Sequence, residues 1–191
     1  MNKPSRNGGF TLIELIVVIA LLSVMALAIV PRISGSLGAE KGNMIALTSI
    51  LAKTFDESFL HKKMNFVAIH LNEPSAKPKE ETSPLFNRSN GVSVLSLNDN
   101  GEFEESKTRM LAYKKFSSAF RLDEVILSTG EKFSGGTVII PFYPEGFSED
   151  AILHLTSGSD RWSVIIYKMR KEPRVVREYV DFDAVREGNI L

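Results

Sequence analysis

Gly9-Phe10-Thr11-Leu12-Ile13-Glu14, followed by the unbroken apolar stretch Leu15 to Val30 and then by Pro31, decides how the rest of the chain is read. Between Phe10 and Val30 the only charged side chain is Glu14. A helix of about 20 apolar residues rising ~1.5 Å each matches a hydrocarbon core of roughly 30 Å, so this stretch is predicted to be the membrane-spanning half of a helix. A carboxylate there costs on the order of 2.5 to 3.5 kcal/mol even on the mild insertion scale. The sequence therefore demands a positive partner for Glu14, and the span supplies none. Lys3 and Arg6 precede the span, which predicts a cytoplasmic amino terminus with everything after the span carried across.

These residues resemble the leader of type IV pilins and type II secretion pseudopilins: a short basic segment, a glycine directly before Phe10-Thr11-Leu12-Ile13-Glu14, and an apolar helix interrupted by Pro31. The resemblance implies that a prepilin peptidase cuts between Gly9 and Phe10 and that Phe10 is N-methylated. It also implies that Glu14 pairs with the terminal amine of a neighbouring subunit during assembly, and that Pro31 marks a helix kink. Electrostatics gives the same pairing a reason, because losing one partner of a buried ion pair is far more costly than never having either. A competing reading is an ordinary secretory signal cut after Ala26-Leu27-Ala28, so that the mature chain starts at Ile29. It leaves Glu14 and the Gly9-Phe10 junction without a purpose.

Composition narrows the remainder. With the span set aside, the 191-residue chain keeps enough length for one soluble domain with a real core. The 23 basic and 23 acidic residues balance, and removing Lys3 and Arg6 leaves 21 against 23, near −2. No strong field points to nucleic acid. There is no cysteine, so the fold must be held by packing alone.

Four segments are expected: a leader at 1–9, the span at 10–30, an amphipathic helix half at 31–63, and a β-rich domain at 64–191. Leu37, Met44, Leu47, Leu51, Phe55 and Phe59 recur at helical spacing, opposite Lys53, Asp56 and Glu57. Pro31, Gly35, Gly38 and Gly42 make the join between the helix halves its softest part. Strand composition is read at Phe66 to Leu71, Gly91 to Leu97, Phe120 to Leu127, Thr137 to Phe142, Ala151 to Thr156, Arg161 to Tyr167 and Arg174 to Val180. Asn100-Gly101 signals a hairpin, and Asn72 to Asn90, with three prolines, reads as an unusually long surface loop. Met110 to Phe120 is ambiguous between helix and strand. The last four strands, joined by short turns, are expected to pair consecutively as an antiparallel meander, with Pro141 and Pro144 putting the first of them at an edge or ending it early. The fold class is thus α+β and pilin-like, a long amino-terminal helix laid on an antiparallel sheet.

No constellation for catalysis or metal binding is apparent. His61, His70 and His154 fall in separate elements, and His154, between Leu153 and Leu155, is expected on a solvent face. The basic run Lys168 to Arg174 with Arg177 is broken by Glu172 and Glu178 and reads as a solvated hairpin. No cofactor and no enzymatic activity are expected.

The carboxyl third is similar to one branch of the family, the H-type minor pseudopilins of type II secretion. The similarity rests on Phe142, Pro144, Gly146 and Phe147, then Trp162-Ser163-Val164-Ile165-Ile166, then Arg174-Val175. Lys171-Glu172-Pro173 stands where that branch usually has Thr-Gly. The resemblance implies these partners: prepilin peptidase, other major and minor pseudopilins, the inner-membrane secretion assembly platform and the lipid bilayer. It implies a single-pass inner-membrane protein with a periplasmic domain, built into a pseudopilus that supports protein export. The alternative is a minor pilin of a type IV pilus, serving adhesion or DNA uptake.

Overall fold

The structure is a computed structural model that describes residues 12–73 and 83–187, with the side chains at 24 and 26–40 outside the description. The chain divides into two compact units, 1–39 and 40–191. Helix α1 is Leu12–His61. Its backbone stays helical through Pro31, so the proline does not end the element.

Within the second unit the buried stripe of α1 is Leu47, Ile50, Leu51, Thr54 and Ser58. Met44 and Phe55 are partly buried against the same core. The stripe rotates relative to the expected one in the last turn, where Phe59 is 46% exposed while Ser58 is buried. The reason is local. Thr54 gives its hydroxyl to the Ile50 carbonyl, and the Asn65 amide donates to Ser58 Oγ at 3.0 Å, so two small polar residues sit inside with a hydrogen-bond partner each.

The strands in chain order are β1 Asn65–His70, β2 Gly91–Leu97, β3 Phe103–Glu105, β4 Lys114–Lys115, β5 Phe120–Leu127, β6 Lys132–Phe133, β7 Thr137–Tyr143, β8 Phe147–Ser148, β9 Ala151–Ser157, β10 Asp160–Ile166 and β11 Arg174–Val176, followed by the short helix α2, Phe182–Arg186. They form two antiparallel sheets rather than one. The first runs β3-β2-β1-β7-β8, with β4 also on β2, and the second runs β11-β10-β9-β5-β6.

The expected four-strand meander holds only for β9, β10 and β11. Strand β7 leaves it to pair with β1, placing Thr137 opposite His70 and Pro141 opposite Phe66. Strand β7 lies next to the edge of its sheet, where β8 covers only Phe142 and Tyr143, and it ends directly before Pro144. Leu71 N–H bonds the Gly136 carbonyl, so by antiparallel alternation Pro141 falls at a non-bonded position, where its missing N–H would have pointed away from β1. Strand β11 is also shorter than expected, ending at Val176 rather than Val180, and Met110 to Phe120 is a turn-rich segment holding β4 and the first residue of β5.

Leu47, Ile50 and Leu51 of α1 pack with Val67, Ile69, Val92, Val94, Val138 and Ile140 of the first sheet and with Leu122, Val125, Leu153, Leu155 and Val164 of the second. The sheets are tied at one corner by Asn90, held at φ 48°. Its amide donates to the Ser117 and Phe120 carbonyls at 3.1 and 3.0 Å, and its Oδ1 accepts from Leu122 N–H at 3.0 Å. Asparagine tolerates this left-handed backbone, and its short amide reaches three backbone groups of β5 and its approach.

A second apolar cluster lies elsewhere on the second sheet. Ile126, Ile152 and Ile165 are buried with Val180, and Phe182, Ala184 and Val185 pack against them. The tail after β11 therefore covers this sheet, and His154 beneath it is only 4% exposed. The expectation that His154 faces solvent is corrected by this tail, which a strand-by-strand reading of alternation does not anticipate.

Candidate functional site

The residues expected to carry assembly are split by the limits of the description. Gly9 and Phe10 lie outside the described residues, and Pro31 is described only as helical backbone. Glu14 sits in the first turn of α1. Around it Leu12, Ile13, Leu15, Ile16, Val17 and Val18 are all exposed, at 43 to 77%. Ser23 returns its hydroxyl to the Ile19 carbonyl at 2.8 Å and so presents little polarity of its own. Such a surface suits lipid or other apolar helices, with a carboxylate near one end. Among the described residues no helix is long and apolar enough to cross a membrane, and the stretch Phe10 to Val30 runs partly outside them.

The domain has two buried polar clusters. In the first, His70 Nδ1 meets Thr137 Oγ1 at 2.9 Å and Nε2 meets Ser93 Oγ at 2.9 Å. Thr137 gives its own hydrogen to the Phe86 carbonyl, so it accepts from Nδ1–H, and Nε2 is left to accept from Ser93. Burial, with the Arg88 charge adding to it, lowers the His70 pKa from 6.5 to about 4. Glu105 opposes the shift and does not cancel it.

Arg88 grips Glu105 with two parallel bonds of 3.0 and 2.9 Å and lies over the Tyr113 ring. The Arg88 bond holds the Glu105 carboxyl below its usual range, and Tyr113 N–H also donates to it. Phe86 meets Phe103 edge-on. Residues 83–90 are thus fastened to β3 and β7, and the far end of the long loop is ordered structure; residues 74–82 lie outside the description.

In the second cluster, His154 Nε2 lies 3.0 Å from the Val180 carbonyl and Nδ1 lies 3.1 Å from Glu124. The His154 ring stacks on Tyr179, whose hydroxyl donates to Asp123 at 2.8 Å. Ser163 bonds both the Glu178 carbonyl and Val180 N–H. The bonds of His154 Nε2, Ser163 and Tyr179 in this cluster fix the tail, while the Glu124 contact holds the His154 ring between strands. The Ser93 hydroxyl beside His70 is fully buried, and among the described residues no group of three or more His, Asp or Glu is placed to hold a metal.

Two of the domain's surface depressions flank its helices. One, of about 310 Å³, lies between the β5–β6 turn and α2, where Lys132 pairs with Asp181. The other, of about 280 Å³, runs between α1 and the segment before β4, with Ala46, Ile50 and Met110 among its walls and Lys53, Arg109 and Lys114 at its margin. The sequence offered no signal for this groove, because its two sides are more than fifty positions apart. The basic run at Lys168 to Arg174 is the exposed loop expected, with Lys171 paired to Asp56 at 2.8 Å.

A long helix, antiparallel sheets packed on its carboxyl half, and an exposed apolar amino-terminal stretch beginning next to Glu14 define a pilin-like fold. Residues 4–30 match the family model described as the prokaryotic N-terminal methylation motif. The fold is pseudopilin-like. It is similar to the minor pseudopilin EpsH from the Type 2 Secretion System of Vibrio cholerae, at 14% identity and a TM-score of 0.50, over 73% of this chain and 97% of that one. Comparison with curated proteins finds no match. The methylation motif bears out the pilin-like leader, and this likeness bears out the α+β pilin-like fold read from the sequence.

Proposed function

We propose that this chain is a minor pseudopilin of a type II secretion pseudopilus, anchored in the inner membrane by the Phe10 to Val30 stretch and supporting protein export across the outer membrane. The observation that carries the reading is the combination of a methylation motif over residues 4–30 with a domain folded like that of a minor pseudopilin. In this reading a prepilin peptidase cuts between Gly9 and Phe10, and Phe10 is methylated. Glu14 then neutralises a neighbour's terminal ammonium. Pro31 loosens the helix where the span meets the domain, and the partners are other major and minor pseudopilins and the inner-membrane assembly platform. The role is interaction rather than catalysis.

Physical chemistry favours intermolecular pairing. In a bilayer the exposed apolar side chains around Glu14 exclude water, so a charge-assisted hydrogen bond to an amine replaces lost solvation that nothing apolar could replace. A minor pilin of a type IV pilus would use the same leader, and the secretion assay separates the two.

The mature protein should have the mass of a chain beginning at methylated Phe10; retention of the first nine residues would defeat the assignment. Glu14→Ala should be processed normally yet be missing from sheared filaments, and deletion of the gene should halt secretion without loss of surface pili.

A further inference from the structure

The groove between α1 and the segment before β4 has features that the proposed function does not use. Its α1 wall is the line Ala46, Ile50 and Lys53, steps of four and three residues that run two turns, about 10 Å, along the helix. The facing wall carries Arg109, Met110 and Lys114, and Met110 is 66% exposed. From Ser106 to Phe120 the chain has four cations, Lys107, Arg109, Lys114 and Lys115, and no carboxylate. No carboxylate lines the groove either, and among the described residues neither these four cations nor Lys53 has an ion-pair partner. Uncompensated positive charge around an apolar trough favours an occupant that is apolar at its centre and acidic around it.

The walls also constrain the backbone of that occupant. One wall is helix and the other is turns ending in the two-residue β4, too short an edge to hold an added strand. Beside Met110, the Leu111 N–H is given to the Thr108 carbonyl at 2.8 Å, and the Leu111 carbonyl accepts from Val94 N–H at 3.2 Å. The groove therefore meets its occupant with side chains, and an incoming segment has to satisfy its own N–H and C=O groups, as a helix does. The helix of another copy of this chain does not answer that description. Of the described carboxylates on α1 within the second unit, Asp56 is held by Lys171 at 2.8 Å and Glu57 lies 3.7 Å from His61. Being adjacent in sequence, those two point about 100° apart and form no single acidic face.

We infer that the groove at Ala46, Ile50 and Met110 receives the acidic, amphipathic helix of a different subunit of the same filament, laid lengthwise beside α1. An apolar side chain of that helix seats against Ala46, Ile50 and Met110. Carboxylates one turn to either side of it meet Lys53 on one wall and Arg109 and Lys114 on the other. The same three cations reject a neighbour whose helix is basic at that height, so charge selects which subunit stands beside this one. The inference rests on the reading of the chain as a minor subunit among other pseudopilins, and it adds the surface and the chemistry that choose the neighbour.

Met110 is exposed enough to be replaced by the photoreactive residue p-benzoylphenylalanine without disturbing the core. The full-length variant is expressed with the rest of its own secretion gene set and irradiated in membranes and in sheared filaments, and the linked peptide is sequenced by mass spectrometry. The expected peptide comes from the helix of a non-identical subunit and carries carboxylates one turn to either side of the linked position. Lys53→Glu, Arg109→Glu and Lys114→Glu combined in the same chain should cut the yield about tenfold, the sum of three modest exposed pairs, and replacing the linked helix's carboxylates by lysine should restore it. With the chain present in filaments, no link, or a link to lipid, to exported protein, to another copy of this chain or to a helix without carboxylates, would overturn the contact while leaving the proposed function standing. So would a yield indifferent to the three reversals. Absence of the wild-type chain from filaments would overturn the two together.

Discussion

Acidification should destabilise the domain through His70. Its folded pKa is depressed to about 4 from 6.5, chiefly by burial, so between those values the unfolded chain binds a proton that the folded one refuses. Stability is therefore fully present above about pH 6.5 and is lost as pH falls toward and through 4. Taking those two values, lowering the pH from about 7.5 to about 5 removes roughly 2 kcal/mol, and the loss approaches roughly 3 kcal/mol below pH 4. That is a large part of a typical domain's margin of about 5 to 15 kcal/mol.

The hydrogen bonds explain why the ring resists the proton. Nε2 is the acceptor of Ser93, and Nδ1–H is already committed to Thr137, whose hydrogen is committed to Phe86. A protonated ring would force the Ser93 hydroxyl to turn away with Arg88 nearby and no water to compensate, since Ser93 is fully buried. Urea unfolding of the wild type and of His70→Gln at several pH values isolates the effect as the difference between their slopes, because other titrating groups are common to both. Gln can still bridge Thr137 and Ser93 but cannot titrate. Equal slopes for the two proteins would refute the reasoning, as would a His70 imidazole resonance titrating near 6.5.

Gly91→Ala should cost about 1 to 3 kcal/mol, because the added carbon would lie 2.6 Å from the Lys114 carbonyl and from the Tyr113 ring; thermal melting checks it. Ser163→Ala leaves Val180 N–H buried without its acceptor, so a loss of about 1 to 3 kcal/mol with faster amide exchange in residues 177–186 is expected, while β1 and β2 keep their protection. Arg88→Ala should cost roughly 1 to 2 kcal/mol, less than a fully buried pair because both side chains keep some solvent contact, and should expose residues 83–90 to limited proteolysis.

What could be read from the sequence follows the range of the interaction responsible. Strands β2 and β5 were legible at their observed bounds because alternation and flanking turn residues are local, and the Asn100-Gly101 hairpin was equally local, with Gly101 at φ 78°. Two-residue strands such as β4 and β6 have no periodicity to detect. The partner of β7 was illegible for a topological reason: pairing Thr137 with His70 closes a long loop, and nothing near Thr137 signals it. His154 was placed outside because Leu153 and Leu155 point inward, and alternation says nothing of what covers the second face. A signal did exist in Val180, Phe182 and Val185, an apolar triplet too irregularly spaced to continue β11. The residues proposed for processing and assembly were the opposite case: charge alone marked Glu14, the resemblance of the leader supplied Gly9 and Phe10, and those two lie outside the described residues.

The covered second face also bears on how a cysteine-free domain is held together. A sheet with one solvated face buries apolar side chains on alternate positions only, whereas β9 is buried at nearly every residue from Ala151 to Ser157. Ile126, Ile152 and Ile165, at roughly 1.5 to 3 kcal/mol for each fully buried side chain, give the tail a hydrophobic reason to stay. Hydrophobic contact is non-directional, however, and would permit the tail to slide along the sheet. Ser163 and His154 remove that freedom by meeting specific backbone atoms of Glu178 and Val180. The polar residues in the middle of two apolar strands thus set the register of the tail, and the isoleucines around them supply the adhesion.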